Sequence, residues 1–346
     1  MGTLPRSEKI GVSVFLSFLV GLLLLIGFCN VVEAQSILLN YASYVPETTP
    51  PSMQMERWAK EIEKRSGGKV EVKTFPSGTL VDAKNMITGV IDGQADIGVT
   101  CLAFYPGRFP LLSAVDLPIG FQNAMEASQT LFDLNEKYNP KSLDKVKVLT
   151  AFACPPANIM AKDPIRNLDD LKGYPLRCTG AGAPVLSLLG ANPVAMPMSE
   201  TPEALHKGTV KGIFSSLEIL KAFKFSEICR HETICNLQTA SFAVIMNKDK
   251  WASLPKEIQK IIDDMRREQS EWAAKCFDTQ VEEALEWSKK EHDIELIRLS
   301  KSDMQKWLDM LRPATDQWLK DAAAAGIEGD KVLRDVFALK EHYAQK

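Results

Sequence analysis

Arg177 stands in the run YPLRCTGAG, at the end of a short strand pattern and just before a glycine-rich turn into a helix. Ligands in open α/β units favour that end of the strands. A guanidinium grips a carboxylate through two parallel charged hydrogen bonds, a geometry that a lysine cannot reproduce. The competing reading is a surface arginine paired to a local acid, and the run alone leaves both open. Gly180-Ala181-Gly182 follows the same strand but lacks the spaced third glycine of a dinucleotide fingerprint. A tight turn is its simpler reading; backbone N–H groups holding an anion there is the other.

Other chemistry finds little support. No G-x-G-x-x-G follows a strand, and no G-x-x-x-x-G-K-[ST], G-x-S-x-G, H-E-x-x-H or calcium-loop pattern occurs. The four histidines, His206, His231, His292 and His342, are scattered, which gives a nucleophile–base constellation weak footing. Asp169-Asp170 lies beside a helix start and reads as capping or surface charge. Cys229, His231 and Cys235 come nearest to a metal cluster, but along a strand alternate residues face opposite ways. A Cys229–Cys235 bridge stays open. No cofactor is expected. The 41 basic and 44 acidic residues nearly balance and are interspersed, so a broad phosphate-binding surface for nucleic acid is not expected.

The elements that must position Arg177 are legible in outline. SILLNYASY (36–44) reads as a strand, Pro50 and Pro51 as a helix start, and KVEVKTF (69–75) as a second strand. Asp82 is placed to cap a helix carrying Met86, Ile87 and Val90, before a compact strand at 96–100. This alternation predicts an α/β unit with a largely parallel sheet. Val146–Ala153 forms a further strand, broken by Pro155-Pro156, and a second unit begins there. It runs through YPLRC, a helix over 181–189, the helix EALHK and the strand VKGIF. SFAVIMN (241–247) looks like a return crossing. From Pro255 to about Lys290 one long amphipathic helix is expected, whose apolar positions drift enough to imply two contact surfaces or a bend. Two C-terminal helices follow, divided near 326–329. Two α/β units joined by two crossings permit a hinge about a cleft, a common place for small-molecule sites.

The first 34 residues read as processing information. Arg6 and Lys9 precede the apolar run Val12–Phe28, and Val32-Glu33-Ala34 follows, as in a secretory signal peptide cut after Ala34. The run is 17 residues, so a retained membrane anchor is the alternative on length. Lipid attachment at Cys29 is disfavoured by bulky Phe28. Cleavage leaves 312 of 346 residues, with six of the seven cysteines, enough for large cores without disulfides.

With these residues on the page, the chain resembles the solute-binding proteins of tripartite ATP-independent periplasmic (TRAP) transporters, of the dicarboxylate-binding type. The resemblance covers nearly everything after Ser36. It rests on FPSGTL (75–80), ITGVIDGQADIGV (87–99), FYPGRFPLLSAVDLPIGF (104–121), IRNLDDLKGYPLRCTG (165–180), GANPVAMPMSETPEALHKGTVKGIFSSLE (190–218) and NKDKWASLPKEIQKII (247–262). It implies a periplasmic-binding-protein-like α/β fold: two α/β domains joined by hinge strands, with a long helix behind both. On that reading residues 35–153 with 241–254 form domain I, 154–240 form domain II, and 255–346 pack across both. It also implies a periplasmic monomer, no enzyme, that closes over a small organic carboxylate and delivers it to TRAP membrane permease subunits. A ligand-presenting receptor for a membrane sensor, a carboxylate-processing enzyme and an envelope protein with a vestigial cleft are the alternatives.

The family's carboxylate-binding arginine matches Arg177. Elsewhere the chain departs from the sugar-acid binders. Their acidic and basic contacts after the third strand fall on Cys101 and Phe104, a second arginine on Ala157, the pocket asparagine on Ser215, and the aspartate opening that segment on Lys211. The departures imply one strong clamp in a less polar pocket, lined by Phe104, Tyr105, Met198 and Phe214 unless these are core, with Gly180 at the turn. The expected ligand is a monocarboxylate with an apolar or aromatic body.

Overall fold

The computed structural model describes residues 36–345; the expected signal segment, with Cys29 and the cleavage position, lies outside them. Two sheets organise the chain. The first contains β1 (Ile37–Ala42), β2 (Val70–Phe75), β3 (Ile97–Cys101), β4 (Val146–Ala153) and β10 (Ser241–Asn247), in the order β2-β1-β3-β10-β4. The second contains β5 (Asn158–Ala161), β6 (Pro175–Cys178), β7 (Asn192–Ala195), β8 (Gly212–Ser215), β9 (His231–Ile234) and β11 (Glu295–Arg298), in the order β11-β9-β5-β8-β6-β7.

Neither sheet is purely parallel. β1 runs parallel to β2 and β3, but β10 enters antiparallel between β3 and β4. In the second sheet β6 is parallel to β7 and β8, whereas β5 is antiparallel to β8 and β9. The reason is topological. The chain crosses between the sheets at 154–157 and returns at 235–240, and the first strand after each crossing, β5 and β10, runs against its neighbours. The pairing of the return strand with β4 shifts register between Val244 and Ile245, where Leu149 of β4 is left without a partner.

The long helix spans Lys256–His292, 37 residues and roughly 55 Å at 1.5 Å per residue. The drift of its apolar positions has its cause in two contact surfaces. Ile258, Ile262, Met265, Ala273, Ala274 and Phe277 belong to the core around the first sheet. Ala284 belongs to a core on the second, with Val281 and Leu285 packed against it. A buried amide relay fixes the first contact: Tyr41 Oη donates to Gln54 Oε1 at 2.9 Å, and Gln54 Nε2 to Gln269 Oε1 at 3.2 Å. The helix Lys301–Ala324 bridges the cores in the same way, with Trp307 and Leu311 in one and Trp318 and Ala322 in the other.

Candidate ligand site between the two sheets

Arg177 lies on β6, between β7 and β8, and its side chain is 1% exposed. Nε and Nη2 both donate to the carbonyl oxygen of Met196, at 3.1 and 2.8 Å. No carboxylate pairs with it among the described residues. A buried guanidinium without a counter-charge is costly, because desolvation penalises the charged form. That desolvation is the main influence on Arg177 and lowers its pKa. The surface-arginine alternative is thereby removed. The two bonds to Met196 hold the planar group at one edge and leave its remaining donors for an anion.

A cavity of about 60 Å3 faces this group. It draws its walls from both sheets. Tyr44 and Phe104 pack edge-to-face at 5.6 Å, and Phe152 and Phe242 stack at 5.5 Å with Phe277 tilted against both at 6.2 Å. Tyr44, Phe104, Phe242 and Phe277 line the cavity. Its polar groups besides Arg177 are the Tyr44 hydroxyl, the Cys101 and Cys154 thiols, Thr49, Thr179, Ser215, Ser216 and Glu218. Burial pushes the Cys154 thiol up to about 12 and Cys101 well above the usual thiol range, so both face the cavity as neutral groups.

Among the residues singled out from sequence, Arg177, Cys101, Phe104, Met198 and Ser215 are brought together on this cavity. Phe214 is not. Successive side chains on a strand face opposite ways, so with Ser215 towards the cavity Phe214 turns into the core beside Leu176, Val185 and Trp307. Tyr105 and Gly180 also stand off it, on a neighbouring opening that they share with Phe104. The Tyr105 hydroxyl donates to the carbonyl of Ala83 at 2.9 Å, which holds the ring away from the Arg177 cavity.

Gly180 has a steric role. A Cβ there would fall 2.7 Å from Pro106 Cγ and 3.3 Å from the Ala103 carbonyl oxygen. Ala181 N donates to that same carbonyl at 3.0 Å. The turn after β6 therefore seats on the segment that follows β3, and Gly180 is the residue that permits the approach.

Ala157 sits in the crossing between the sheets, bonded through its N–H to the Gln238 carbonyl at 2.6 Å, and does not line the cavity. Cys229 and Cys235 are both free thiols, so the bridge left open by their spacing is not made. Several contributors are not singled out by the sequence, among them Tyr44 at the end of a strand pattern, Phe242 inside the return strand, Phe277 inside the long helix, and Glu218. Glu218 carried a signal, since it is the lone charge in the apolar run IFSSLEIL.

Known proteins share this fold. The profile of the bacterial extracellular solute-binding protein, family 7, matches residues 41–321. A TRAP periplasmic solute-binding protein from Desulfovibrio salexigens, solved as an open complex, is 50% identical, with TM-score 0.81 over 89% of this chain and 97% of its own. A marine-metagenome TRAP protein specific for aromatic acid ligands, solved with 3-hydroxybenzoate, is 27% identical, with TM-score 0.84 over 89% and 99%. A TRAP protein from Bordetella bronchiseptica, solved with bound mandelate, is 28% identical, with TM-score 0.83 over 88% and 99%. With a profile match across most of the chain and the two-sheet fold held in common, this protein belongs to the bacterial extracellular solute-binding proteins of family 7, the solute-binding components of TRAP transporters.

Proposed function

We propose that the protein captures a small monocarboxylate with an apolar or aromatic body and presents it to TRAP membrane permease subunits. The observation that carries the reading is the buried Arg177 guanidinium, without a carboxylate partner among the described residues, facing a mainly apolar cavity that includes several aromatic side chains. The ligand carboxylate takes the guanidinium donors that Met196 leaves free, and a charge-assisted bond of this kind contributes about 1.5–3 kcal/mol. The body of the ligand displaces water from Tyr44, Phe104, Phe242 and Phe277. The aromatic-acid and mandelate complexes of the two relatives lend the same support.

Residues 35–153 with 241–254 act as one lobe and 154–240 as the other, hinged at the two crossings. The chain works as a periplasmic monomer after cleavage at Ala34, and binds its ligand without turnover. Calorimetric titration with benzoate, mandelate, a branched aliphatic acid and a hydroxylated sugar acid tests the ligand class. Tight binding of the sugar acid with no response to the others overturns it.

A further inference from the structure

We propose that Glu218 forms a second subsite in the Arg177 cavity, and that it selects monocarboxylates carrying a hydroxyl group remote from the carboxylate. This rests on the carboxylate reading above and specifies the far end of the same ligand. Glu218 is 6% exposed, and its Oε1 accepts from Ser216 Oγ at 2.8 Å. Its Oε2 is buried without any hydrogen-bond partner among the described residues. An orphaned buried carboxylate oxygen costs its full desolvation unless something supplies a donor. The cavity wall also carries the hydroxyls of Tyr44, Thr49, Thr179 and Ser215, and among the described residues none of them bonds to this oxygen.

Arg177 does not meet that need, since the two form no ion pair. The cavity thus has a cation and a carboxyl that do not neutralise each other, with aromatic surface also lining it. The charged and titratable groups near Glu218 leave it in this state. Asp278 and Cys276 on the long helix and Cys154 at the crossing are acids or thiols, and Lys221 is engaged by Glu283 at 3.0 Å. Glu47 and Lys224, on a surface pocket that Glu218 also borders, add an acid and a base, and neither is bonded to Glu218. Burial holds the Glu218 carboxyl up to about 7. Ionised, it accepts from a ligand hydroxyl; protonated, it exchanges donor and acceptor roles with the same hydroxyl. A hydroxyl suits both states. A site built around such a bond discriminates strongly against the analogue that lacks it.

Titration of the full mature chain with benzoate, 3-hydroxybenzoate and 4-hydroxybenzoate, in the wild type and in Glu218→Leu, is the test. The better hydroxybenzoate should bind the wild type at least about tenfold tighter than benzoate. In Glu218→Leu that preference should collapse to about one. Glu218→Met, unbranched and of similar volume, serves the same comparison where the leucine variant does not fold. A preference that survives the substitution, or none in the wild type, overturns the Glu218 subsite and leaves the Arg177 site standing. Failure of all three acids to bind the wild type overturns the aromatic reading itself, and the subsite with it.

Discussion

The guanidinium of Arg177 makes a forked pair of hydrogen bonds to one backbone oxygen, that of Met196, through Nε and Nη2. Met196 directly follows β7, the strand parallel to β6, so the backbone that pairs the two strands also aims the side chain. Orientation is therefore set before any ligand arrives, and little side-chain entropy remains to be lost on binding.

Arg177→Ala should abolish measurable capture, since truncating one partner of a buried charge pair costs about 2–5 kcal/mol or more. Arg177→Lys should fail nearly as badly, because an ammonium cannot bond Met196 and a carboxylate with one fixed plane. Circular dichroism should show both variants folded. Calorimetry returning a dissociation constant within tenfold of the wild type for either would remove Arg177 from the site.

Gly180→Ala probes how the two sides meet. The added methyl would collide with Pro106, and nothing at that spot is a flexible side-chain end that could swing aside. The approach of the turn to Ala103 should be lost, while each sheet keeps its own core. Ligand affinity should fall by at least tenfold with thermal stability of the free protein nearly unchanged. Small-angle scattering should show less contraction on adding ligand. Unaltered affinity would mean that the contact at Gly180 has no part in capture.

Phe104→Ala tests the apolar wall. Phe104 is half-buried and holds an edge contact with Tyr44, so its removal should weaken an aromatic carboxylate by about 1–2 kcal/mol. Binding of a short aliphatic acid, which cannot reach that wall as fully, should change less. Equal losses for both ligands would show that the ring acts on the fold and not on the ligand body.

How far the sequence revealed this site depends on what kind of information each residue carries. Arg177 was legible because local order, strand then glycine turn, places it at the ligand end of a sheet. β4 and β10 matched their expected bounds, being strongly apolar and bounded by turn residues. Strand direction was not legible: β10 has the same composition whether it runs with or against β3, and only the paths of the two crossings decide. Phe214 and Ser215 show a related limit. Period two says that they face opposite sides, but which side is the cleft depends on the register of β8 in its sheet. The role of Gly180 needed knowledge of Pro106 across the gap, some seventy residues away in the chain.

Stability should fall as pH rises from acid to neutral, and Asp116 gives the window. Its carboxyl is buried against Ser241, whose hydroxyl donates to it at 2.6 Å, yet burial still raises its pKa from 3.8 to about 7. Glu232, on β9 with both oxygens buried and without a partner among the described residues, is shifted in the same direction, well above the usual range. In each case the folded protein holds a proton that the unfolded chain releases near pH 4. The folded state therefore binds more protons, and stability declines with rising pH wherever that is so. The contribution from Asp116 is fully present below pH 3.8 and is lost as pH climbs through about 7. Asp116→Asn keeps an acceptor for Ser241 but removes the titration. Melting temperatures taken between pH 5 and 8 should fall more steeply for the wild type than for the variant. Parallel slopes would mean that Asp116 keeps its ordinary acidity in the folded protein.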